Sequence, residues 1–185
     1  MRSIPPVVAC LLLAACSAVV PATVARLASL DPLTADPAGI ELVVILPPGL
    51  SIKPGTAKLE LTAMRGTETR SGSFALADQP VADGFDLPQG SSARHYALTP
   101  EDAAKMRSLQ TEIATWEQKG KARGCLGLGV DGCALGDGPA PDATGSVLIR
   151  LGPDTSFLPL VADTRLVDLL GPKAFAAIQP CNGAE

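Results

Sequence analysis

TPEDAAKMRSLQTEIATWEQK, residues 99–119, is the stretch from which the architecture is read. Thr99 offers a hydroxyl to the free N–H groups of a helix start, Pro100 is tolerated at the first helical position, and Glu101 and Asp102 suit its positive end. Met106, Leu109, Ile113 and Trp116 then recur at spacings of three and four, while Arg107, Glu112, Glu117 and Lys119 lie mainly off that stripe. The pattern predicts one long amphipathic helix over about 99–119, ended by Gly120 or Gly124. Such a helix is about 30 Å long, enough to cover one face of a small sheet.

On either side the period changes to that of strands. Upstream, Ile40–Leu46 is almost wholly apolar and β-branched, as in a central strand buried on both faces. Lys58–Arg65 alternates, with Leu59, Leu61 and Ala63 on one face and Lys58, Glu60 and Thr62 on the other. Residues 70–78 give a weaker strand with Phe74 and Leu76 inward, and 79–93, rich in Pro, Gly and Ser, reads as a loop. Downstream, 124–145 is a Gly- and Pro-rich excursion, and 146–151 with 156–161 forms a hairpin about Gly152-Pro153-Asp154-Thr155. Asp163 or Thr164 caps a short helix through Leu166, Val167, Leu169 and Leu170, stopped at Gly171-Pro172, with room for one more helical turn in 173–178. Strands grouped around one helix, instead of alternating with helices, imply an α+β fold: a mostly antiparallel sheet covered by the long helix, with a short C-terminal helix.

The first residues set the cellular address. Arg2, an apolar run from Val7 to Ala15 and small residues before a cysteine have the layout of a secretory signal. Leu13-Ala14-Ala15-Cys16 resembles the lipobox of bacterial lipoprotein precursors. That resemblance implies cleavage before Cys16, a diacylglycerol thioether on its sulfur, acylation of its new amino group, and stable membrane attachment by several acyl chains. Ser17 stands where the best-known sorting rule of that family uses Asp for inner-membrane retention, which points to the outer membrane. Two alternatives stay open: a later cut after Ala25 releasing the chain, and retention of 7–25 as a spanning helix, against which Ser17 and Pro21 speak.

The expected layout is a signal peptide at 1–15, a tether at 16–38 broken by Pro21, Pro32 and Pro37, and one globular domain at 39–185. Leu27, Leu30 and Leu33 leave open that part of the tether packs on the domain as a short helix or turn. Aromatics make up only 3% of the chain, which counts against a stacking surface for glycans or nucleic acid. A formal net charge of −4 without any basic cluster likewise counts against nucleic acid and anionic lipid headgroups as partners.

Candidate chemistry is sparse. Cys125 and Cys133 bracket seven residues in a flexible loop, and the oxidising compartment makes them the expected disulfide, with Cys181 either free or competing for one of them. Gly127-Leu128-Gly129-Val130-Asp131-Gly132 matches G-x-G-x-x-G in letters but follows a helix and opens none, so it is no dinucleotide site. Asp131, Asp137 and Asp142 lack EF-hand spacing and read as solvated turns. His95, the only histidine, cannot supply a two-histidine metal site, and no Gly-x-Ser-x-Gly elbow accompanies it. Glu101 and Asp102 are helix-start charges, and Trp116 is core. No metal or cofactor is expected.

These observations lead to a non-catalytic structural or protein-interaction module of the cell envelope, anchored through Cys16, facing the periplasm, with an envelope protein as partner. A carrier or sensor of a small apolar ligand held between helix and sheet is the alternative, and a hydrolase using His95 ranks last. An apolar cavity beneath Met106, Leu109 and Ile113 would favour the carrier; a serine or acid converging on His95 would favour the enzyme.

Overall fold

The computed structural model describes residues 33–81, 84–118, 120–152 and 154–181. The lipobox, the signal peptide, most of the tether and Lys119 lie outside the described residues.

The fold is α+β and rests on a curled seven-stranded antiparallel sheet. Its strands are β1 (Ile40–Leu46), β3 (Lys58–Arg65), β4 (Glu68–Gln79), β5 (Ser92–Leu98), β6 (Arg123–Gly129), β8 (Thr144–Leu151) and β9 (Leu158–Arg165), in the order β6-β3-β4-β5-β1-β8-β9. A separate ribbon pairs β2 (Leu50–Ile52) with β7 (Gly132–Ala134). Helix α1 spans Pro100–Glu117, and two five-residue helices, α2 (Leu166–Leu170) and α3 (Pro172–Ala176), follow β9.

The apolar run of β1 sits where its composition requires, between β5 and β8 and covered on both faces. Leu42, Val44 and Leu46 face the main core with Leu59, Leu61, Phe74, Leu76, Tyr96 and Ile149. Val43, on the opposite face, is buried as well. In β3 the alternation holds: Leu59, Leu61 and Ala63 are buried while Lys58 and Glu60 are exposed. Gly66-Thr67 joins β3 to β4, and Gly66 at φ 62° supplies the positive φ that a two-residue hairpin turn needs.

The Thr99 hydroxyl accepts from the Asp102 N–H at 3.1 Å and so caps α1 as the sequence indicates. Along α1, Ala103, Met106, Gln110 and Ile113 are buried against β4 and β5, with Leu109 and Trp116 partly buried beside them. Gln110 enters the buried stripe because its amide donates to the Ala35 carbonyl at 2.8 Å. Together with buried Leu33, a 3-10 turn at Pro37–Gly39 and an Arg107–Asp36 ion pair at 2.7 Å, that bond packs the end of the expected tether onto α1.

Two loop expectations and one helix cap are corrected. Ser92 and Ala93 begin β5, and the excursion at 124–145 contains β7 and all but the first residue of β6. The Gly-rich β6 extends because β3 offers it a free edge and because Leu126 and Leu128 reach the core, contacts that outweigh poor intrinsic propensity. The expected helix cap at Asp163 or Thr164 instead lies within β9, and α2 starts at Leu166.

Candidate functional site

The inner face of the sheet is divided. Met106 and Ile113 are fully buried, so the space beneath α1 is filled by the protein's own side chains. Beyond it, toward β1, β8 and β9, an open apolar cleft of about 520 Å³ remains. Val44 and Leu46 of β1, Val147 of β8 and Leu160 of β9 form its floor, and Leu166 and Leu169 of α2 with Ile178 form its opposite wall. Leu50 and Ile52 of β2 and Leu128 of β6 close one end. The sheet's curl is what brings β6 and β9, at opposite ends of the strand order, to one cavity. Among the described residues, side-chain polarity in the lining is confined to Lys53, Asp131, Ser146 and Gln179.

A covalent tie fastens the chain that follows Ile178 to the ribbon at the cleft's closed end. Cys133 of β7 is bonded to Cys181, with Cα atoms 4.8 Å apart, and Cys125 is exposed with no disulfide partner among the described residues. This corrects the expected Cys125–Cys133 pair. Seven intervening residues look like a small loop in sequence, but Cys125 is fixed opposite Thr62 in the large sheet while Cys133 is opposite Ser51 in the separate ribbon. Beside the disulfide, the Ala134 N–H donates to the Gln179 carbonyl and the Cys181 N–H to the Ala134 carbonyl, both at 2.8 Å. The chain that carries α3 and Ile178 is thereby fastened to β7, and β7 to β2.

The opposite face of β1 carries a different arrangement. Glu41 Oε2 lies 2.6 Å from His95 Nε2 on β5, and Glu41 Oε1 accepts from Arg150 Nη2 on β8 at 2.6 Å. His95 Nδ1 faces the Pro80 carbonyl at 2.9 Å. The Arg150 guanidinium lies over the Phe157 ring, 4.9 Å from its centroid, and the His95 ring meets the same phenyl edge-on. Partial burial works to raise the Glu41 carboxyl, and the hydrogen bonds from Arg150 and His95 outweigh it, holding the group below the usual carboxylate range. An acid therefore does converge on His95. Both imidazole nitrogens face oxygens, so the ring is held in place between the Glu41 carboxylate and the Pro80 carbonyl.

The remaining candidates fall into place simply. Glu101 pairs with Lys105 at 2.8 Å, and Asp102 belongs to the α1 cap. The Arg65 and Arg70 guanidiniums lie over Trp116, 4.2 and 5.3 Å from its ring centroid. Gly127 and Gly129 are in β6 and Gly132 begins β7, with no helix following. Among the described residues, no cluster of His, Cys, Asp and Glu is placed to hold a metal ion, and no helix is long and apolar enough to cross a membrane. Sequence reasoning missed the cleft itself, whose lining is ordinary apolar residues drawn from several distant elements. Comparison with protein families, with characterised proteins and with solved structures finds no match.

Proposed function

We propose that the chain is a lipid-anchored bacterial envelope lipoprotein, facing the periplasm from the outer membrane, whose non-catalytic domain carries or senses a small apolar ligand in the cleft between β1, β8, β9 and α2. The observation that carries the reading is the cleft. Its volume lies within the ~300–1,000 Å³ of small-molecule sites, and its lining is mostly apolar with a few polar groups. The packing of α1 on β4 and β5 supports a division of labour in which the long helix covers one part of the sheet and the two short helices bound the ligand. The anchor rests on the resemblance of Leu13-Ala14-Ala15-Cys16 to a lipobox.

Native mass spectrometry of the full chain, gently extracted from its envelope, tests the ligand directly. A reproducible small apolar adduct is expected. Val147→Trp, which fills the cleft from its floor, should remove the adduct and weaken binding of an apolar fluorescent probe by at least about tenfold. An adduct and probe affinity unchanged in that variant would overturn the cleft as the site, and an extra protein mass in place of the adduct would favour an interaction module. Separately, Cys16→Ala should abolish acyl labelling and detergent partitioning; persistence of both would refute the anchor.

A further inference from the structure

The two edges of the large sheet are not alike. β9 carries Pro159, two register shifts against β8, and Asp163 at φ 42°, all of which hinder the addition of another strand. β6 has none of these devices. It contains no proline, its only charged residue is Arg123 at its first position, and among the described residues it is paired on one side only, with β3.

The direction of its free hydrogen-bonding groups follows from the β3–β4 hairpin. Arg65 and Glu68 flank the two-residue turn and form a hydrogen-bonded pair, so Arg65, Ala63 and Leu61 direct their backbone groups to β4 while Thr62 and Glu60 direct theirs to β6. Thr62 stands opposite Cys125. Cys125 thus spends its backbone groups on β3, and Gly124 and Leu126 present theirs to the open edge.

We propose that two copies of the chain pair through β6, edge to edge and antiparallel, with Cys125 of each copy on the two-fold axis. In that register Gly124 and Leu126 of one copy exchange backbone hydrogen bonds with Leu126 and Gly124 of the second. Cys125 meets Cys125 at a non-hydrogen-bonded site, where Cα atoms are about 4.5 Å apart and within the roughly 4.4–6.8 Å of a disulfide. Arg123 faces Gly127 of the second copy, and beyond that missing side chain stands Glu60, the β3 residue opposite Gly127. Arg123 and Glu60 are both exposed, and neither takes part in an ion pair among the described residues. The two-fold axis turns them into two symmetric ion pairs across the seam. Past this stretch Lys121 would approach Lys58, so like charge limits the ladder to about 123–127. The pairing is closed and uses up the β6 edge of each copy, while the β9 edges are blunted by Pro159 and the register shifts, which is the condition for a dimer instead of a fibre.

Trapping with oxidised glutathione on the full chain in mild detergent tests the proposal. Two Cys125 thiols are oxidised to one intermolecular disulfide, and one glutathione disulfide is reduced to two glutathione thiols. A covalent dimer that disappears in Cys125→Ser is expected. Glu60→Arg and Arg123→Glu should each slow trapping about tenfold, by setting like charges across the seam, and the double exchange should restore the rate to within about twofold. Recovery in the double variant shows that the exchanged side chains at 60 and 123 are together compatible with the fold and the seam. A chain that yields only glutathionylated monomer, trapping unaffected by Glu60→Arg, or a double exchange that fails to restore it would each overturn the pairing.

Discussion

Replacing Cys133 and Cys181 together by serine is expected to lower the unfolding free energy of the full chain by about 3–4 kcal/mol. The two cysteines are 48 positions apart, and closing a loop of that length removes chain entropy worth about 4 kcal/mol from the unfolded state. Packing and hydrogen bonds alone must then hold the C-terminal segment. The Ala134–Gln179 and Cys181–Ala134 backbone bonds contribute about 1 kcal/mol each, too little to replace the tie. Because that segment also carries Ile178 and follows α2 and α3, the double variant should bind an apolar probe more weakly even where it remains folded. Guanidinium unfolding, with and without reductant, reads the first effect, and probe titration reads the second. A stability loss below about 1 kcal/mol would mean that the segment is held without its covalent tie.

The part of this arrangement that sequence made visible is the part encoded locally. Thr99-Pro100 with its acids and the stripe of α1 lie in one continuous stretch, and the alternation of Lys58–Arg65 needs no distant partner to be seen. β6 was hidden because Gly124, Gly127 and Gly129 carry the signature of a turn, while the cause of its extension is the edge of β3, whose paired residues lie 59 to 71 positions upstream. The disulfide was hidden for the converse reason: Cys125 is near Cys133 along the chain, but the two belong to different sheets. The cleft has no local signature, since Val44, Leu128 and Leu160 differ in no way from core residues until the sheet curls. One signal did exist for the charged cluster. Glu41 is the only charge in the apolar run Ile40–Leu46, and a carboxylate there demands partners, although their identity as His95 and Arg150 depends on strand order.

Those partners set the second large effect. Glu41→Gln is expected to cost about 2–3 kcal/mol at neutral pH, less than the ~3–5 kcal/mol of a fully buried broken pair because the site is partly wet. The Glu41, His95 and Arg150 side chains are 17, 12 and 26% exposed, so the loss should still exceed that of a surface ion pair. The amide keeps the size of the carboxylate but leaves two donor-bearing side chains facing a group without charge. The pH dependence follows from the direction of the Glu41 shift. Its carboxyl is held below its unfolded value, so its contribution is complete above the ordinary carboxylate range and is lost as pH falls through the lower, folded value. The difference between wild type and Glu41→Gln should therefore close in acid; a difference that persists undiminished at low pH would assign it to packing instead of charge. Replacing all three residues by apolar ones, Glu41→Leu, His95→Leu and Arg150→Met, should recover most of the stability lost in Glu41→Gln, because no group is then left desolvated without a partner. Recovery would mark the cluster as a strap across β5, β1 and β8 whose members must be present together or absent together, whereas a further loss would mean that Phe157 depends on the His95 ring and Arg150 guanidinium for its own packing.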